Sequence, residues 1–236
     1  MDEIRGKHLK DFIYEYQIPD QLCDDLIKLH SEIPWLSDEV IKDELTDLNY
    51  PMTKGHGQTG ANRVFKHIKD SIDVSIMPQA VFNPISCNKV YWPYIEVIKN
   101  YKLHLDKATN EYFYELGYMD GVFRNEVGVP MTTCVSLNES LNIQRYEPGG
   151  GYHAWHMERS PERTQREFVW MTYLNDVPDG GTEFYYQKRT EKAVKGKTLL
   201  WPAGYTHVHK GQISKKHIKY IITGWLSFND INAETN

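Results

Sequence analysis

The sequence predicts an α+β protein in which helices of the first half support an antiparallel jelly roll built from the second half. Three observations carry this. Two stretches of the first half repeat apolar residues at helical spacing. Beyond residue 125 or so, short apolar and aromatic runs alternate with Pro- and Gly-containing turns. Aromatic residues make up 13% of the chain, with 16 Tyr and 6 Trp, and flat rings pack well on pleated surfaces.

Residues 8–16 read as strand-like. Next, Ile18, Leu22, Leu26, Ile27 and Leu29 recur at helical spacing, with Pro19 suited to the first helical position. A second helix is expected over Asp38 to Leu48, and residues 53–62, TKGHGQTGAN, read as a loop. From Tyr91 to Leu116 the apolar positions Tyr94, Ile95, Val97, Ile98, Tyr101, Leu105, Ala108, Tyr112 and Leu116 predict one long amphipathic helix. The strands expected after that are Leu141–Tyr146, Phe168–Leu174, Thr182–Tyr186, Thr198–Trp201 and Lys219–Phe228. Turns at 148–151 (PGGG), 178–181 (PDGG) and 202–204 (PAG) punctuate them. No segment is rich enough in Pro, Gly or Ser to separate two units. Residues 1–236 are therefore expected to form one domain, with 1–125 a mainly helical support and 126–236 the jelly-roll core.

Composition excludes several function classes. The chain has 236 residues, 40% hydrophobic and 25% charged, as in an ordinary globular protein. Its net charge of −5 offers no electrostatic footprint for nucleic acid. Cys23, Cys87 and Cys134 are too few and too scattered for a disulfide framework or a thiolate zinc site. The N-terminus has no apolar signal core, and no run approaches a membrane span, so a cytoplasmic protein without a membrane partner is expected.

The chemistry concentrates in Gln144–Glu158, QRYEPGGGYHAWHME. In an extended segment His156 and Glu158 share one face, because residues two apart do. An imidazole and a carboxylate at that spacing can share a metal, and a second histidine would complete a 2-His-1-carboxylate facial triad, which suits non-haem iron(II). That triad leaves coordination positions open for a bidentate 2-oxo acid and O₂. The segment Trp201–Gly211 supplies two candidates, His207 and His209, which alternation alone cannot separate. Farther on, Lys219 opens an aromatic and β-branched run. An inward-facing ammonium needs a partner. The far carboxylate of 2-oxoglutarate would provide one, and Thr223 lies on the same strand face.

Taken together, these motifs resemble the prolyl 4-hydroxylase-like branch of the 2-oxoglutarate/iron(II) oxygenases. The resemblance runs through Tyr146, Gly149–Gly151, Tyr152 and His156-Met-Glu158, then Tyr173-Leu-Asn-Asp and Gly180-Gly-Thr-Glu-Phe184. It continues through Gly196-Lys-Thr-Leu-Leu-Trp201, a downstream His, and Lys219 six residues before Trp225. It is strong over roughly residues 140–228 and slight before them, through Cys23 and Lys69-Asp-Ser-Ile-Asp73. It departs in having Glu158 where Asp is usual, in placing Tyr152 four residues before His156, and in having Lys210-Gly211 where a Pro often follows the distal His.

The resemblance implies a double-stranded β-helix core. It also implies Fe(II), 2-oxoglutarate and O₂ as cofactor and co-substrates, with ascorbate as a supporting reductant. The ligands it implies are His156, Glu158 and His209, since spacing to Lys219 favours His209 over His207. Lys219 would hold the far carboxylate, Tyr146 would donate its hydroxyl to the co-substrate, and Thr223 would line the same pocket. The implied reaction couples decarboxylation of 2-oxoglutarate to hydroxylation of a C–H bond, in a prolyl peptide or protein first and in a small molecule otherwise. Residues 53–62 and 159–166 are candidate lids by composition. The competing reading is a non-catalytic jelly roll that binds a metal or other ligand, which would require neither a buried Lys219 nor an open coordination position.

Overall fold

Period-two alternation in the second half sorts side chains between two cores. The computed structural model describes residues 9, 11–35, 52–57, 63–78, 91–117 and 134–229. Strands β1 (Tyr14–Gln17), β2 (Met52–His56), β3 (Lys69–Asp70) and β4 (Ile72–Ile76) come from the first half, with helices α1 (Asp20–Glu32) and α2 (Trp92–Glu115). The second half contributes β5 (Val135–Ser136), β6 (Leu141–Tyr146), β7 (Gly151–Tyr152), β8 (Arg166–Tyr173) and β9 (Val177–Phe184). It continues with β10 (Arg189–Ala193), β11 (Lys197–Pro202), β12 (His209–Gly211) and β13 (Lys219–Phe228).

The large sheet has the order β1-β11-β8-β13-β6-β4-β2, with β5 beside β13, and the strand pairs are antiparallel. A smaller sheet, β10-β9-β12, and the pair β3-β7 accompany it. This is the expected α+β jelly roll.

Strand β8 is buried from Phe168 to Tyr173, as a central strand covered on both faces must be. Phe168 and Trp170 face the helices, joined by Leu141, Ile143, Leu200 and Ile222. Val169, Met171 and Tyr173 face the opposite way, with Leu199, Trp201 and Ile221. Of the predicted stripe, Ile95, Ile98, Tyr101, Leu105, Ala108 and Tyr112 are buried on α2, while Tyr94, Val97 and Leu116 are partly buried against the same core. Tyr101 anchors it to the sheet, its hydroxyl 2.8 Å from Thr172 Oγ1, which lies 2.7 Å from Thr198 Oγ1. Helix α1 packs Leu22, Cys23, Leu26 and Leu29 into the same core.

Several expectations change. Pro19 is the N-cap of α1, one residue before the helix starts. Residues 53–56, expected as loop, belong to β2, because pairing with β4 from Met52↔Ile76 to His56↔Ile72 outweighs their loop-like composition. The Pro178–Gly181 stretch, expected as a turn, lies within β9. Its glycines serve close approach: a Cβ on Gly181 would sit 2.1 Å from Glu191 O of the neighbouring strand. The helix expected at Asp38–Leu48 lies outside the described residues, as do residues 58–62 of the expected loop and Cys87.

Candidate functional site

Inward-facing side chains of the large sheet floor a cavity of about 730 Å³. Alternation selects Asn142, Gln144 and Tyr146 on β6 and Lys219, Ile221, Thr223 and Trp225 on β13. The smaller sheet and the segment after β7 form the facing wall.

At that wall His156 and His209 meet through the backbone. His156 N donates to His209 O at 3.0 Å, and His209 N donates to His156 O at 2.9 Å. This isolated antiparallel bridge sets the ring centroids 4.3 Å apart. Glu158 completes the group: one ligand atom from each of the three residues lies within 4.8 Å of the others. Glu158 Oε1 is 3.5 Å from both His156 Nε2 and His209 Nε2.

The backbone also fixes the tautomers. His156 Nδ1 lies 3.0 Å from Ala154 O, and His209 Nδ1 lies 2.9 Å from His207 O. A carbonyl only accepts, so each Nδ1 carries a proton, and Nε2 is the ring atom that faces the carboxylate and can bind a metal once it is unprotonated. Two imidazole lone pairs and a carboxylate oxygen on one point are a fitting donor set for Fe(II). Tyr152 stacks on His156 with centroids 3.8 Å apart, and Trp201 meets His209 edge-on at 5.1 Å, confining both rings.

The alternative candidate, His207, is directed elsewhere. It lies in a 3₁₀ turn, Tyr205–His207, so the extended alternation that paired it with His209 does not apply. Its Nε2 is 2.8 Å from Asp11 O. Burial, partly offset by that bond, lowers the pKa of its ring.

Burial raises the pKa of Glu158, but the bonds to His156 and His209 outweigh it and hold the carboxyl well below its usual range. Burial and the neighbouring His156 lower the pKa of His209, with Glu158 opposing. Both directions favour the ligand forms, a carboxylate and a neutral imidazole.

Lys219 lies elsewhere along the same cavity and is 5% exposed. Its Nζ donates to Gly180 O at 3.1 Å and to Gln212 O at 3.0 Å, and it sits 5.2 Å from the Tyr146 ring centroid. An ammonium has three donors, so one remains for a ligand. Among the described residues Lys219 forms no salt bridge, and burial pulls its pKa down to about 8, with Asp179 opposing. Burial, then Asp73 and Glu158, raise the pKa of Tyr146 well above the usual range, so its hydroxyl keeps its proton and donates to Gln144 Oε1 at 2.5 Å. Thr223 lines the cavity and donates to Trp170 O at 2.8 Å.

Thus the structure brings His156, Glu158, His209, Lys219, Tyr146 and Thr223 to one cavity. Sequence reasoning assigned no role to further groups at the site. Lys69 and Asp73 form a buried pair at 2.6 Å, and Ser71 donates to the same carboxylate at 2.7 Å. Tyr173 and Thr182 share a hydrogen bond at 2.6 Å. Arg166 and Trp225 both contact Glu158. In the sequence, Lys69 to Asp73 stood out only as a slight resemblance, and it is the fold that turns Lys69 and Asp73 to the cavity. Of the candidate lids, Ser160, Glu162 and Arg163 line the cavity, and so do Thr53 to His56, which form a strand.

Residues 141–227 match the family model of the 2OG-Fe(II) oxygenase superfamily. No curated protein sequence matches the chain at a meaningful level. Among solved structures, a prolyl hydroxylase from Trichoplax adhaerens, in complex with a peptide fragment of the hypoxia inducible factor oxygen degradation domain, has a TM-score of 0.60 at 13% identity. It is matched over 96% of this chain and 88% of its own. The viral collagen prolyl hydroxylase of Paramecium Bursaria Chlorella virus-1, in complex with 2OG, has a TM-score of 0.55 at 16% identity, over 95% of this chain and 100% of its own. A Pseudomonas putida prolyl-4-hydroxylase has a TM-score of 0.55 at 13% identity, over 93% and 94%. At these identities the likeness is one of fold.

Proposed function

We propose that the chain, whose residues 141–227 match the 2OG-Fe(II) oxygenase superfamily model, is an iron(II)- and 2-oxoglutarate-dependent hydroxylase in which His156, Glu158 and His209 hold the iron. One observation carries the assignment. A convergent His-Glu-His donor set shares one cavity with a buried lysine that has no counter-ion among the described residues. A jelly roll that bound a metal only structurally would have no use for that lysine.

Iron held by the three side chains would supply O₂ activation. The protein's own groups do the rest. Lys219 uses its remaining donor to hold the far carboxylate of 2-oxoglutarate, and the Tyr146 hydroxyl turns from Gln144 to the same co-substrate. Thr223 bounds that pocket, while the paired sheets keep it poor in water. Ascorbate would maintain the reduced metal.

Residues 1–236 act as one oxygenase domain in this reading, with α1 and α2 supporting the large sheet. The proposed substrate is a prolyl residue of a peptide or protein, supported by the fold shared with prolyl hydroxylases, one of them peptide-bound. A small molecule is the second choice. No helix of the described residues is long and apolar enough to cross a membrane. The proposed location is the cytoplasm, whose reducing conditions suit a chain with only three scattered cysteines.

Anaerobic titration of the apo-protein with Fe(II) and then 2-oxoglutarate tests the assignment. A weak visible charge-transfer band is expected in the wild type and in His207→Ala, but not in His209→Ala or His156→Ala. A wild type that folds and binds metal yet gives no band would leave a metal-binding module as the reading.

A further inference from the structure

Glu158 is gripped from the large sheet as well as facing the two imidazoles. Its two carboxylate oxygens have separate partners. Oε1 is the atom 3.5 Å from His156 Nε2 and His209 Nε2. Oε2 accepts from Trp225 Nε1 at 3.0 Å and lies 3.4 Å from Arg166 NH1. Arg166 is itself held. Its Nε and NH2 bond the Glu139 carboxylate at 2.8 and 2.5 Å, and Ser227 Oγ donates to that carboxylate at 3.0 Å. The guanidinium centre lies 3.4 Å from the Trp225 ring centroid, stacking the two groups that reach Oε2. Arg166 begins β8 and Trp225 lies in the adjacent β13, so neighbouring strands supply both contacts.

We propose that Trp225 and Arg166 are positioning residues that tie back Oε2 of Glu158, so that this carboxylate offers the metal Oε1 alone. The proposal rests on the ligand assignment above and deepens it. A glutamate has one more rotatable bond than an aspartate, and nothing within its own chain prevents both oxygens from turning to one cation. Two imidazoles and one carboxylate oxygen fill three of the six positions of an octahedral ion, whereas a chelating carboxylate fills a fourth. A bidentate 2-oxo acid and O₂ together need three open positions. The indole N–H and the guanidinium bind the second oxygen through charge-assisted contacts, which removes it from competition. Partners that orient a ligand in this way typically change metal affinity about 10- to 100-fold when removed.

The test uses full-length apo-protein and Mn(II), a divalent cation that does not oxidise during titration. Calorimetry gives Mn(II) affinity, then 2-oxoglutarate affinity of the Mn(II)-loaded protein, for wild type, Trp225→Phe, Arg166→Lys, Glu158→Asp and Glu158→Asp/Trp225→Phe. Thermal melts of each apo-protein confirm folding. Trp225→Phe is expected to weaken Mn(II) or 2-oxoglutarate binding about tenfold with Glu158 present. In the Glu158→Asp background, where the shorter side chain cannot span both sets of partners, the same change is expected to cost less than about twofold. Arg166→Lys, which keeps the charge but loses the fork, is expected to fall between wild type and Trp225→Phe.

Equal losses in both backgrounds would assign Trp225 a general packing role and overturn the tether, as would no loss in either. If the wild type binds no Mn(II), or binds it equally well in His156→Ala and His209→Ala, the ligand assignment itself fails and the tether with it. That result is distinct from intact, histidine-dependent binding that ignores Trp225.

Discussion

Lys219 shows how far one residue's environment reaches. Its pKa of about 8 lies below the ordinary 10.5 because burial penalises the ammonium. Between those pH values the unfolded chain binds more protons than the folded one, so this residue's contribution makes the apo-protein more stable as pH rises through the window. A carboxylate ligand needs the charged form. Above pH 8, binding must therefore take up a proton, and 2-oxoglutarate affinity should fall by up to about tenfold per pH unit. Titrating 2-oxoglutarate into Mn(II)-loaded protein at several pH values measures the slope. In Lys219→Met binding should be weaker throughout and this slope absent; an unchanged slope would sink the assignment of Lys219. The two C-terminal histidines differ as sharply. His209→Ala should abolish metal binding, whereas His207→Ala should leave it intact and cost stability through the lost Asp11 contact.

At the scale of elements, the large sheet sets the site's geometry. Strand β13 presents Lys219, Thr223 and Trp225 on one face, while Ile222 and Leu226 meet the helices on the other. Gly224, between two cavity residues, pairs with Trp170 across the sheet. A Cβ there would come within 2.4 Å of the indole. Trp170 is fully buried and has nowhere to yield. Gly224→Ala should therefore destabilise by about 1–3 kcal/mol, the usual cost of overpacking. Denaturant unfolding would check this, and an unchanged midpoint would mean that the strand slides to make room.

Across the whole molecule, support and chemistry lie on opposite faces of the same sheet. Ile98 and Leu105 of α2 are buried in the helix-facing core and line no part of the cavity. Ile98→Ala should cost about 2–5 kcal/mol of stability. Once folded, the variant should still bind 2-oxoglutarate with Mn(II) at the wild-type Kd. A large loss of affinity at full folding would show that α2 tunes the pocket as well as supporting it. The buried Lys69–Asp73 pair belongs to this scale too, since it brings charge from the first half of the chain to a cavity built mostly by the second.

The sequence by itself determined the elements with strong internal periodicity. Strands Leu141–Tyr146 and Lys219–Phe228 appear with the expected bounds, and the stripe from Ile95 to Tyr112 is the buried face of α2. In those segments each residue's neighbours are set by chain geometry, so pattern and structure coincide. His156, Glu158 and Lys219 were legible for a related reason: order and spacing along the chain made their types informative. Tertiary structure decided whatever depended on a partner far away in sequence. Residues 53–56 became strand because β4 lay beside them, and Pro178–Gly181 fell within β9 because its flanking residues Val177 and Thr182 pair with Ala193 and Glu191 of β10. The resemblance already favoured His209 over His207, but the backbone bridge that sets His209 beside His156, more than fifty residues earlier, is a tertiary contact. Arg166, Trp225 and Glu139 acquired their relation to Glu158 only when adjacent strands stacked them, a contact that no local pattern encodes.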